Sequence, residues 1–215
     1  MKMNEQIHKP KLHISRKSYA DDLVDTIIHG EYELICDQFG EPCIIDYDHP
    51  LIALRIKSED AKFLLSKIYW DSRTKTIRPE IMTSALTTLK GLAKYKGDVR
   101  DVYTRIARVK DEIYYDIGDN LNVVKINKDG WNIQNRAPVY FRRYTHQKPQ
   151  VLPQTGGDLK LITKYIHIEN ETSEILLCTY LPTCIISDID RPIIITHGPE
   201  GSGKSSALEF IKLGN

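Results

Sequence analysis

Residues 79–134 read PEIMTSALTTLKGLAKYKGDVRDVYTRIARVKDEIYYDIGDNLNVVKINKDGWNIQ, and a change of hydrophobic period inside this run decides the fold class. In the first part Ile81, Ala85, Leu86, Leu89, Leu92 and Ala93 recur at helical spacing. Pro79 suits a first helical position and Gly97 ends the run. From Val99 the period becomes two. Val102, Thr104 and Ile106, then Ile113, Tyr115 and Ile117, read as paired strands about a turn at Lys110-Asp111. Gly118-Asp119-Asn120 and Lys128-Asp129-Gly130 are further turns, with Val123, Val124 and Ile126 between them and Trp131 to Ile133 beyond. A helix followed by a β-meander puts the chain in the α+β class.

Working towards the N-terminus, Ser58 opens a helix with Glu59 and Asp60 in its first turn and Phe63, Leu64, Ile68 and Tyr69 as its apolar stripe. Asp71 to Arg78 reads as a polar loop. Before it, Tyr32 to Cys36 and Cys43 to Tyr47 flank a turn containing Gly40, and Leu51 to Ile56 reads as a third strand. Ser18 caps a helix from Tyr19 to His29, where Ala20, Leu23, Val24, Ile27 and Ile28 share a face and Gly30 is the stop. Residues 1–17 read as a flexible tail, and 18–147 as an α+β accessory domain of helices and antiparallel sheet. Tyr140 to Tyr144 is expected to close the meander. The Pro- and Gly-bearing stretch 148–157 reads as a linker, and 158–215 as a helical segment plus the first strand, loop and helix of a P-loop α/β domain.

The balance of 30 Lys and Arg against 29 Asp and Glu leaves a net charge of +1. Overall charge therefore argues for neither nucleic acid nor membrane, and any basic surface is local. No apolar run approaches the ~18 residues that a membrane helix needs, and no secretion signal opens the sequence, so a cytoplasmic protein without membrane attachment is expected. Cys36 and Cys43, and Cys178 and Cys184, are too widely spaced for common zinc knuckles and read as reduced, mostly buried thiols.

Chemistry enters near Gly198. Asp158 to His167 reads as a short helix, and Glu171 to Ile186 as a mostly buried one with Pro182 disturbing its last turns. Ile193 to Thr196 is a short β-branched run. It leads into Gly198-Pro199-Glu200-Gly201-Ser202-Gly203-Lys204-Ser205-Ser206, which fits the phosphate-binding pattern G-x-x-x-x-G-K-[ST]. Each part has a physical reason. Glycines let backbone N–H groups turn inward around an anion. A helix starting near Gly203 adds its N-terminal dipole. Lys204 places an ammonium against phosphates, and the Ser205 hydroxyl suits a magnesium shell. Ala207, Leu208, Phe210 and Ile211 give the following helix a core face. ATP and magnesium are the expected ligands. Asp188 and Asp190 lie too close upstream for a crossover to a second parallel strand, and no later strand ending in an acid follows Ser205 to hold the metal. The chain is thus expected to be the front of a longer ATPase, not hydrolytically competent alone.

Ile113-Tyr114-Tyr115-Asp116-Ile117-Gly118, then Gly130-Trp131, then Phe141-Arg142-Arg143, with the P-loop beyond, resemble the helicase-like ATPases of phages, plasmids and integrated mobile elements. The helix about Ser84-Ala85-Leu86 is similar too, and the resemblance spans residues 30–213. It implies ATP-driven work on DNA during replication and a homo-oligomeric full-length parent.

Arg136, Arg142 and Arg143, interleaved with Tyr140, Phe141 and Tyr144 beside Lys148, suit single-stranded nucleic acid. The same pattern equally describes an edge strand with arginines in water. Two further readings stay open. One is a non-enzymatic nucleic-acid-binding or assembly module with a vestigial loop. The other is a nucleotide kinase, disfavoured because the phosphate loop of a kinase usually opens the chain.

Overall fold

A computed structural model describes residues 18–119, 122–190 and 193–213. It is a mixed α+β protein with several open sheets and no closed barrel among the described residues. These residues divide into two compact units, one of 18–44 and 54–98, the other of 45–53 and 99–213. The expected tail at 1–17 lies outside the described residues.

The first unit begins with α1 (Tyr19–His29). Ser18 Oγ accepts from Asp21 N at 3.2 Å, and the Asp21 carboxylate accepts from Ser18 N at 2.7 Å, which satisfies donors that the helix start leaves open. Then come β1 (Tyr32–Asp37), β2 (Pro42–Asp46) and β3 (Ala53–Arg55). The helices α2 (Glu59–Arg73) and α3 (Pro79–Lys96) follow, and β4 (Asp98–Arg100) begins at the last residue of this unit and runs into the second. The sheet order is β3-β2-β1-β4. Val99 and Arg100 thus pair in this sheet instead of starting the meander. Leu23, Val24 and Ile27 of α1, Leu65 and Ile68 of α2, and Ala85, Leu86, Leu89 and Ala93 of α3 form one apolar core with Ile44 and Ile56. Each helix buries one apolar face, but not the whole of the expected stripe: Ile28 of α1 and Phe63 of α2 are exposed, and Leu65 is in the core instead of Phe63.

The end of α2 differs from the sequence reading. Asp71 to Arg73 is helix, not loop. Arg73 pairs with Asp22, and Thr74 ends the helix in the left-handed region by donating its N–H to Trp70 O at 2.7 Å. Gly97 ends α3 with an extended backbone. A Cβ there would sit 2.5 Å from Ala93 O and 2.7 Å from Leu34 O, so close packing rather than a left-handed turn requires the glycine. Cys36 and Cys43 are buried thiols, and Cys178 and Cys184 are half-buried ones. Burial pushes the Cys36 thiol up.

The second unit holds β5 (Val102–Tyr103), β6 (Ile106–Val109) and β7 (Glu112–Asp116), then β8 (Val123–Asn127), β9 (Gly130–Gln134) and β10 (Tyr140–Phe141). The meander β6-β7-β8-β9 is antiparallel throughout. On β7 the buried residues are Tyr114 and Asp116, whereas Ile113 and Tyr115 are only half-buried. The β10 segment does not close the meander. It pairs in parallel with β5, Phe141 opposite Tyr103. Phe141 N donates to Leu51 O at 2.7 Å and Arg142 N to Tyr103 O at 2.6 Å. Phe141 is fully buried, with Leu51, Ala107, Tyr114, Val123 and Val139 around it. Within the expected linker, Gln150 N donates to Ile117 O at 2.6 Å, and a Cβ on Gly118 would meet Pro149 Cα at 3.1 Å.

The remainder of this unit carries a 3-10 helix at Leu159–Lys164, then α4 (Glu171–Thr183) and α5 (Lys204–Leu213). The sequence reading expected α4 to be mostly buried, but none of its residues is; Ile175 and Leu176 are exposed. Its apolar side chains lie on all sides, so no single face can be covered by one neighbour.

Candidate phosphate-binding loop

Ile193 to Thr196 does not form the strand expected before the loop. Ile193 is 87% and Ile195 81% exposed. A parallel strand needs partners that take up its N–H and C=O groups, and none of the described strands pairs with it.

The loop itself is formed. Gly198, Gly201 and Gly203 have φ of 148°, 78° and 78°, values that side chains with a Cβ rarely adopt. At Gly198 a Cβ would also lie 2.9 Å from Ser202 Oγ. Ser202 N donates to Pro199 O at 3.3 Å, closing the turn around Glu200. The helix α5 starts at Lys204, where the pattern places it, and Ala207 N donates back to Gly203 O at 2.9 Å. The amides of Lys204, Ser205 and Ser206 thus occupy a first helical turn, which leaves N–H groups without intrahelical acceptors. Ser205 and Ser206 are exposed there.

Lys204 folds back over the loop. Its Nζ donates to Gly198 O at 2.8 Å, Pro199 O at 2.6 Å and Ser202 Oγ at 3.3 Å. The ammonium thus draws the two ends of the loop together and holds a positive charge beside the helix start. The core face expected for α5 is realised only at Ile211, which is buried. Leu208 and Phe210 are exposed, Phe210 stacking on Tyr165 with ring centroids 5.3 Å apart.

The arginines sort differently. Arg136 is exposed and Arg142 half-buried. Arg143 grips Asp116 with two bonds, Nε to Oδ2 at 2.9 Å and Nη2 to Oδ1 at 2.6 Å, and also donates to Asp119 O. Asp116 is 2% exposed. Its Oδ1 also accepts from Gly118 N at 3.0 Å, and its carbonyl accepts from Arg105 Nη1 at 3.1 Å. Two of the motifs singled out in the sequence therefore meet as one buried ion pair. The sequence pattern points the other way: the alternation of Ile113, Tyr115 and Ile117 sets Asp116 on the opposite face, whereas the structure buries Tyr114 and Asp116, and the buried acid then requires a cation.

Asp188, upstream of the loop, accepts from Arg108 at 2.5 Å. That hydrogen bond holds its carboxyl below the usual carboxylate range. Among the described residues no three His, Cys, Asp or Glu side chains gather as a metal-binding group, and no helix is long and apolar enough to cross a membrane. No family model, curated protein or solved structure matches the chain.

Proposed function

We propose that Gly198, Pro199, Glu200, Gly201, Ser202, Gly203, Lys204, Ser205 and Ser206 hold the phosphates of a nucleotide, ATP with magnesium. The chain would then be the N-terminal part of a mobile-element DNA-replication ATPase or helicase. The observation that carries the first part is the loop backbone: three glycines at positive φ, followed at once by a helix whose first residue is Lys204. Such a segment presents amides, a helix dipole and an ammonium to one anion. The second part rests on the resemblance of residues 30–213 to helicase-like ATPases.

In this reading Lys204 exchanges its longest bond, to Ser202 Oγ at 3.3 Å, for a phosphate oxygen. The Ser205 hydroxyl offers magnesium one ligand, and the metal when bound neutralises phosphate charge. Binding without turnover is the expected state of this chain. Asp188 is committed to Arg108, and Ile193 to Thr196 adjoins no described strand from which a second acid could reach the metal. The same unpaired segment favours the alternative, a nucleic-acid-binding or assembly module in which the loop is vestigial.

Titration of the chain with ADP and with inorganic triphosphate, with and without magnesium, separates these. Weak binding of both is expected. Lys204→Ala should weaken it about tenfold or more, the loss of a hydrogen bond from a charged donor. Ser205→Ala should matter less when magnesium is absent. Phosphate release should stay at background. Undetectable binding at millimolar ligand would leave the alternative.

A further inference from the structure

Arg73, Lys75 and Arg78 line an open cleft of about 520 Å³ in the first unit, between the end of α2 and the start of α3, and no acidic side chain lines it with them. Its walls are aromatic. Tyr19 and Trp70 line it while 53% and 51% exposed, and Tyr69, edge-on to Tyr19 at 6.5 Å, backs them from the core. The Arg73 guanidinium lies over the Tyr19 ring, 5.0 Å from its centroid, and pairs with Asp22. That contact fixes the Tyr19 wall. Lys75 and Arg78 stand on the loop that borders the cleft, both exposed.

Large flat rings held half in water beside cations match one ligand chemistry, a planar base on a negatively charged backbone. The volume suits one such unit. The surface also continues beyond it. Phe63, 66% exposed, lies seven residues before Trp70 and so shares its face of α2, with Lys67 between them in sequence. Asp60 and Asp71 flank this stripe, so attraction comes from the basic loop and the stacking from the rings. A single mononucleotide would use only the cleft, whereas a strand would use the cleft and the stripe.

We propose that this cleft, with Trp70 as its stacking platform and Lys75 and Arg78 as its phosphate contacts, binds single-stranded nucleic acid. The site lies in the first unit and does not depend on the reading of Gly198–Ser206, which belongs to the second. It also differs from the stretch at Arg136 to Tyr144, where Phe141 is core and Arg143 is locked to Asp116.

The test is fluorescence anisotropy of labelled oligothymidylate with the full chain. Binding should fall as salt rises. Trp70→Ala should weaken it about tenfold, while Trp70→Phe retains most of it. Replacing Lys75 and Arg78 together by Ala should weaken binding and flatten the salt dependence by about one unit of slope for each phosphate no longer neutralised. Lys204→Ala should leave it unchanged. Trp70 is half exposed, so these variants keep the core, and unchanged circular dichroism should accompany them. No binding by the folded wild type would overturn the proposal. So would binding insensitive to Trp70, thymidine monophosphate competing as well as the oligomer, or inorganic polyphosphate competing as well as DNA. Loss of oligomer binding in Lys204→Ala with no effect of Trp70→Ala would move the nucleic acid to the loop and equally sink it.

Discussion

Asp116 and Arg143 carry the largest single-residue expectation outside the loop. The carboxylate is out of water and accepts two bonds from one guanidinium, so removing Arg143 strands a buried charge. Arg143→Ala should lower unfolding stability by about 3–5 kcal/mol, measured from urea midpoints. A double variant in which an apolar pair of similar volume replaces both should recover much of that loss. If Arg143→Ala costs less than about 1 kcal/mol, the pair is not the clamp that its geometry suggests. Tyr114 gives a pH dependence. Burial, reinforced by its bond to Glu112 at 2.6 Å, pushes its hydroxyl up to about 12. Its folded state therefore keeps a proton that the unfolded chain releases near pH ~10. This stability is complete below the unfolded value and is lost as pH rises through the folded one, about 1.4 kcal/mol per unit in between. Tyr103 and Tyr115 are raised in the same direction, chiefly by burial. Tyr114→Phe should flatten the fall between about pH 10 and about pH 12, followed by chemical denaturation; an unchanged slope would assign the fall to other groups.

At the scale of elements, packing differs sharply along the chain. The helix α3 places four residues in the core and the strands β7 and β8 pair on both sides. By contrast, α4 buries nothing and Ile193 to Thr196 pairs with no described strand. Amide exchange follows such local differences. Protection should be high over 81–95, 112–116 and 123–127 and low over 193–203, with α5 between them because among its described residues only Ile211 is buried. Equal protection across 81–95 and 193–203, read by mass spectrometry, would mean that a partner or ligand completes the strand before the loop. The same contrast explains which elements were legible beforehand. The period of α1 and α3 and the turns of the meander are local signals, and the elements stand where those signals put them. The pairing of β10 with β5, the inclusion of β4 in the first sheet and the side of β7 that faces inward are not local. Each depends on which distant backbone offers acceptors.

The whole molecule divides where no composition change marks it. Residues 45–53 join 99–213 because Leu51 O receives the Phe141 N–H and Leu51 packs with Phe141. That division scatters the chemistry: the glycine loop is in one unit and the basic aromatic cleft in the other. The loop was readable residue by residue, since positive φ at Gly201 and Gly203, the helix start at Lys204 and the inward ammonium are all consequences of nine consecutive residues. The cleft was not, because Tyr19, Trp70 and Arg78 come from three segments and none is unusual alone. By itself the sequence determined the α+β class, the helix starts at Ser18 and Ser58 and the loop backbone, all governed by interactions within a few residues. Tertiary structure alone decided that Asp116 is buried, that Arg143 is spent on it, and that Ile193 to Thr196 pairs with none of the described strands. Burial and pairing are set by what the rest of the fold brings near, and no short-range pattern encodes that.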